Sequence, residues 1–236
     1  MEVKPSDFYS EDYFFPKTRH YTDEFGVDRT YYGPSKEWDG FGLIVSFIKE
    51  NFPEVTTISD IGCSAGSFTD HAIRQGFDSI GCDISRFAIN NCVPGAKGKV
   101  RISDITKDRP VRQSHMAIAL DLMEHIYEKD LNKAMDFITN SIVPNGYFFA
   151  CIATCRHESE LFQHSSENDP VPINKNWLAV SGHVNIKWYE DWMKIMTMHG
   201  FTPDFEKMFK FQLWRTRNDL ATTESWSQRN VYIGRK

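Results

Sequence analysis

Apolar residues along this chain fall in short runs that alternate with stretches of helical spacing, and the alternation repeats. The β-branched run Thr56 to Ile61, set off by Pro53, predicts a short buried strand, and Phe68 to Gln75 the helix after it. Ser79 to Asp83 and Arg86 to Asn91 give a second strand and helix. Lys99 to Ser103 and His115 to Leu120 give a third and a fourth strand. Lys129 to Ser141 is a helix whose apolar residues Leu131, Ala134, Met135 and Ile138 share one side. The turn signal Asn145-Gly146 leads into a fifth strand, Tyr147 to Ile152. Gly42 to Glu50 precedes the series as a helix, and Tyr189 to Met198 follows it as another, stopped by Gly200. Phe205 to Trp214 and Asn230 to Gly234 read as the last two strands. Repetition of strand then helix predicts a parallel sheet with helices on both faces.

Between the first strand and its helix runs Ser59-Asp60-Ile61-Gly62-Cys63-Ser64-Ala65-Gly66-Ser67-Phe68. A glycine-rich turn at this point lets the backbone approach a ligand and aims free helix N–H groups at it. Asp83, 21 positions after Gly62, closes the second strand, where the ribose hydroxyls of a nucleoside cofactor are held. The dinucleotide spacing G-x-G-x-x-G is not met, because Ser64 and Ser67 stand at its second and third glycines. Read as D-x-G-x-G-x-G, the positions are Asp60, Gly62, Ser64 and Gly66, with only the middle glycine replaced. This pattern resembles the first motif of class I S-adenosylmethionine (SAM) dependent methyltransferases. An acidic residue at the start of the loop also disfavours a nearby pyrophosphate and suits a cationic amino-acid moiety. A serine at 64 fits such a loop where its φ stays negative.

The resemblance covers roughly Trp38 to Lys236. It implies a three-layer, Rossmann-like α/β fold with a seven-stranded, mostly parallel sheet, order 3-2-1-4-5-7-6, strand 7 antiparallel. SAM is the cofactor implied. Asp60, Gly62, Cys63, Ser64 and Gly66 form its cradle, Asp60 and Gly62 facing the methionine moiety. Asp83 is expected at the ribose diol and Asp104 at the adenine amine, with Ile84 and Ile105 sandwiching the ring. Asp121 and Leu122 follow the fourth strand on the same side of the sheet. Ligands in open α/β sheets sit at the carboxyl ends of the strands, which is where all these residues fall.

Asp121-Leu122-Met123-Glu124-His125 resembles the D/E-x-x-E-H that many small-molecule methyltransferases carry at this point, and His183 follows 58 positions after His125. Two chemistries stay open here. Carboxylates and imidazoles are a plausible divalent-cation set, and relatives acting on quinols or on RNA 2′-hydroxyls use E-x-x-E-H with a later histidine for metal. Asp121 is shorter than the glutamate of those sites, which favours a site without metal. In that reading His125 or His183, beside Glu124, takes a proton from the acceptor, as neutral imidazole near pH 7 is suited to do. Glu124 and His125 also suit a plainer role, bonding backbone after the fourth strand.

Two segments lie outside the repeat. Residues 1–37 carry Phe8, Tyr9, Tyr13, Phe14, Phe15, Tyr21, Phe25, Tyr31 and Tyr32, an aromatic segment expected to act as a lid or wall of the acceptor pocket, with Tyr13, Tyr21 or Tyr32 near the ligand; the same rings equally suit packing an extra helix or strand onto the sheet. Residues 154–187 form a long insertion with His157, His164, Trp177 and His183; long connections of this kind tend to be functional. Residues 38–236 make up the catalytic domain.

Composition narrows the rest. At 236 residues the chain supports one large α/β domain. A net charge of −5 argues against a general nucleic-acid binder, despite Lys97, Lys99, Arg101, Lys107, Arg109 and Arg112 around the third strand. Five cysteines without a C-x-x-C pair, and the lack of an apolar leader or of 18 consecutive apolar residues, set the expectation of a reducing, cytoplasmic location and no membrane span. The sequence therefore predicts methyl transfer from SAM to a small acceptor at oxygen or nitrogen. The alternatives are a metal-assisted O-methyltransferase and a SAM-binding or interaction protein that has lost transfer activity.

Overall fold

A computed structural model describes residues 9–11, 21–22, 28–29, 40–155, 158, 161–163, 183–218 and 229–236. Tyr13, Tyr32, His157, His164 and Trp177 lie outside the described residues. Helix α1, Gly40–Asn51, leads into strand β1, Thr57–Ile61, then α2, Ser67–Arg74, and β2, Asp78–Asp83. Helix α3, Arg86–Asn90, is followed by β3, Val100–Ile102, and β4, Ser114–Leu120. Helix α4, Leu131–Asn140, β5, Ile142–Ala153, and α5, Tyr189–Met198, continue the series. It ends with β6, Thr202–Pro203, α6, Phe205–Arg217, and β7, Arg229–Arg235.

The strands form one sheet in the order 3-2-1-4-5-7-6. β1 to β5 pair parallel, while β7 runs antiparallel to both β5 and β6. The sheet matches the fold that the loop motif implied. Alternation along the strands sorts side chains into two cores. Ile58, Met116, Ile118 and Phe149 pack with α1, α2 and α6 through Ile44, Phe47, Phe68 and Phe211. Ala117, Ala119, Phe148 and Ala150 pack on the other face with α4 and α5 through Leu131, Met135, Ile138 and Trp192. Three layers result.

One expectation is corrected. Phe205 to Trp214, read as a strand, is the helix α6, and the two-residue strand β6 before it takes the sixth place. The segment reads as alternating because Phe209, Phe211 and Leu213 fall two apart. In the structure Phe211 is fully buried while Phe209 and Leu213 are exposed, so the turning face Met208, Phe211 and Trp214 meets the core. Asp204 caps the helix by accepting from the Lys207 N–H at 2.9 Å, which the strand reading overlooked.

Candidate active site

The loop after β1 is built on backbone conformations that L-residues avoid. Gly62 has φ 77° and Gly66 φ 80°. A Cβ at Gly62 would lie 2.9 Å from Leu122 Cδ1, and one at Gly66 would lie 2.7 Å from Ala96 Cβ, so both glycines also make room for neighbours. Ser64 does not meet the condition of negative φ, since its φ is +49°. The left-handed region costs a non-glycine residue about 1 kcal/mol. A bond from the Ser64 N–H to Asp83 Oδ2, 2.8 Å, accompanies that conformation.

Asp83 is tied from both sides. Its Oδ1 accepts from the Ser85 N–H at 2.7 Å and its Oδ2 from Ser64, so the carboxylate has a fixed direction at the carboxyl end of β2. Burial pushes its pKa up, partly offset by these backbone bonds. Asp60, 3% exposed, accepts from Thr69 Oγ1 at 2.7 Å. Burial raises its pKa to about 7, the Thr69 bond works against that, and the charge of Asp83 adds to it. A carboxyl so placed is ionised cheaply only beside a cation. Cys63 is a buried thiol pushed well up by burial, and Cys82, next to it on β2, rises to about 12 for the same reason.

Asp104 and Ile105 follow β3. Asp104 accepts from Thr106 N–H and Oγ1 through Oδ1 and from Lys107 Nζ through Oδ2. Burial raises its carboxyl, but those bonds outweigh it and hold the pKa below its ordinary value. The group serves its own turn, as an Asp ahead of Thr-Lys-Asp is suited to do. Ile105 is buried and Ile84 half-buried.

The turn after β4 brings three predicted residues together. Asp121 takes φ 52°, and its N–H bonds Cys151 O at 2.9 Å. Leu122 then packs beneath Gly62, and Met123–His125 form one turn of 3₁₀ helix. Glu124 is fully buried; its Oε1 accepts from the Ala153 N–H at 3.1 Å, and its backbone carbonyl accepts from Val184 N–H. The plainer role foreseen for Glu124, bonding backbone, is thus present. His183 Nε2 lies 4.0 Å from Glu124 Oε1, and the rings of His125 and His183 stand edge to face, centroids 4.7 Å apart. One ligand atom each of Glu124, His125 and His183 lies within 4.8 Å of the others; Asp121 is outside this group.

A fourth residue joins them that the sequence placed only in the aromatic segment. The Tyr9 hydroxyl lies 3.0 Å from His125 Nδ1, and the rings meet edge to face. Ser85 Oγ donates to the Tyr9 carbonyl at 2.6 Å while accepting from the Ala88 N–H at the start of α3. The contact joins positions 116 apart, and no local pattern announces it. Tyr21, favoured along with Tyr13 and Tyr32, falls in a two-residue strand, Tyr21–Thr22, paired with Asp28–Arg29.

The sequence matches no protein-family model and no curated protein. Solved structures do share its fold. An O-methyltransferase family protein from Burkholderia thailandensis superposes with TM-score 0.56 at 10% identity, over 82% of this chain and 55% of its own. The N-methyltransferase NodS from Bradyrhizobium japonicum, in complex with S-adenosylhomocysteine, gives 0.52 at 14%, over 82% and 83%. Haemonchus contortus phosphoethanolamine N-methyltransferase 2, with phosphomonomethylethanolamine and S-adenosylhomocysteine, gives 0.57 at 16%, over 86% and 55%. The chain has the class I SAM-dependent methyltransferase fold. It spans about half the length of the first and third of these proteins.

Proposed function

We propose that this chain transfers a methyl group from SAM to a small-molecule acceptor, at an oxygen or, next, a nitrogen. The reading is carried by the convergence of the Asp60–Gly66 loop, the fixed Asp83 carboxylate and the His125–His183 pair at the carboxyl ends of neighbouring strands. SAM supplies an electrophilic methyl on a sulfonium. Asp60, whose burial calls for a cation, would hold the ammonium of the methionine moiety, and Asp83 the ribose diol. Gly62 and Gly66, at positive φ, supply the turns of the loop that would carry its backbone past the cofactor. His125 would accept the proton that a hydroxyl acceptor must lose, with His183 beside it and Glu124 behind. The residual work is alignment and exclusion of water. The aromatic N-terminal segment and the 154–187 insertion would wall the acceptor pocket, in a cytoplasmic enzyme.

Complexes of proteins of this fold with S-adenosylhomocysteine, and of Haemonchus contortus phosphoethanolamine N-methyltransferase 2 with SAM, support the cofactor. Calorimetry with S-adenosylhomocysteine, followed by isotope-labelled SAM against extract and small-molecule libraries, tests the reading. Absence of binding at millimolar concentration, with NAD binding instead, would overturn it. The grouping of Glu124, His125 and His183 supports a second reading, in which these three hold a divalent cation that orients the acceptor oxygen. Activity that survives EDTA and both histidine-to-alanine variants would remove it.

A further inference from the structure

The cations around β3 gather at one edge of the fold. Residues 97–112 hold six of the chain's 27 lysines and arginines but only two of its 32 aspartates and glutamates. That stretch therefore carries a net charge of +4 and the rest of the chain −9, a separation that the overall −5 conceals. β3 is the outermost strand of the sheet, and its connection to the parallel β4, residues 103–113, contains no helix. Parallel strands are usually joined through one. Here a loop takes its place and brings Lys107, Arg109 and Arg112 to the edge.

Few carboxylates answer these cations. Asp104 accepts from Lys107, and Asp108 turns to its own loop, accepting from Ser103 Oγ and the Asp104 N–H, both at 2.9 Å. Arg112 bonds the carboxylate and the carbonyl of Asp78. That bond, with Lys99 adding to it, outweighs desolvation and holds the Asp78 carboxyl below its ordinary range. Arg101 donates to the Arg109 carbonyl at 3.2 Å, which sets two guanidinium-bearing residues side by side. Lys97, Lys99 and Arg109 are exposed and form no ion pair among the described residues.

We infer that this edge docks the phosphodiester backbone of a nucleic-acid strand, outside the methyl-transfer site and independently of it. Surfaces that take up proteins centre on apolar and aromatic side chains and are depleted of charge. Residues 97–112 contain no aromatic side chain, and their surplus is cationic, as at surfaces that bind nucleic acid. Arg101, Arg109 and Arg112 bring planar guanidinium groups that suit pairs of phosphate oxygens. Without a ring on which bases could stack, the contact is to backbone and indifferent to sequence.

Fluorescence anisotropy of a labelled oligothymidylate of roughly 20 nucleotides, titrated with the full chain from about 50 to about 200 mM NaCl, tests this. Binding is expected at about 1–100 μM in the lowest salt, weakening as salt rises. The variant Lys97→Gln/Lys99→Gln/Arg109→Gln should bind more than about tenfold more weakly there. It should also make the slope of log Kd against log salt shallower by about 2, since each phosphate neutralised on a single strand contributes about 0.7. Lys133→Gln/Lys194→Gln/Lys210→Gln removes the same charge from exposed positions elsewhere and should stay within about twofold of wild type. No anisotropy change at about 100 μM protein, or equal losses in the two triple variants, would overturn the inference. So would displacement of the oligonucleotide by polyglutamate as readily as by unlabelled oligothymidylate, which would point to an acidic protein instead.

Discussion

Thr69 Oγ1 donates to Asp60 Oδ2 across 2.7 Å, and it does so to a carboxyl whose pKa burial has raised from 3.8 to about 7. A group that titrates higher in the folded protein binds more protons there than in the unfolded chain between those two values. Stability of the cofactor-free protein should therefore fall as pH rises from about 4 to about 7 and then level off. Asp60→Asn should flatten that fall, as thermal melts from pH 4 to pH 8 would show. Affinity for S-adenosylhomocysteine should move the other way, strengthening as Asp60 ionises, and the Asn variant should lose this dependence.

Asp83 holds two backbone N–H groups and, in the proposed function, two ribose hydroxyls. Asp83→Ala should weaken S-adenosylhomocysteine binding by more than about tenfold, since charge-assisted bonds are worth about 1.5–3 kcal/mol. Calorimetry decides it. An unchanged affinity would move the ribose contact elsewhere.

Ser64 and Gly66 both sit at positive φ but should respond in opposite ways. Ser64→Gly removes the cost of a left-handed serine, about 1 kcal/mol, and should raise Tm by about 2–4 °C. Gly66→Ala adds that cost and drives a methyl against Ala96 and Val100, so it should lower Tm by more than Ser64→Gly raises it. Scanning calorimetry of the two variants checks the pair.

Phe211 and Phe209 lie two apart on α6 with opposite exposures. Phe211→Ala should cost about 3–5 kcal/mol, and Phe209→Ala, at 64% exposure, about 0.5 kcal/mol or less. Denaturant unfolding would separate helix from strand, because a strand would bury both on one face.

That pair also shows where sequence reading stops. Period two is a property of side-chain order alone, and Phe209, Phe211 and Leu213 satisfy it whichever way the backbone turns. The strands β1 to β5 were legible because each is a short apolar run bounded by turn residues, and the cofactor loop was legible because its chemistry is local. Asp60, Gly62, Gly66 and Asp83 are consecutive in effect, all within 24 residues. The positive φ of Ser64 was not legible, since serine has no preference for it and the bond to Asp83 that accompanies it joins positions 19 apart. Glu124, His125 and His183 could be grouped as a candidate set, but Tyr9 could not be told from its aromatic neighbours, because a contact across 116 positions leaves no local trace.

Leu122 and His125 belong to one short turn, and the first packs beneath Gly62 while the second meets His183 and Tyr9. That turn works as a ruler. In the proposed function, the separation between donor side and acceptor side would be set by the short span of backbone from Leu122 to His125 that follows β4. Acceptor preference could then be re-engineered by exchanging segments beyond the turn without resetting the reach of the transfer.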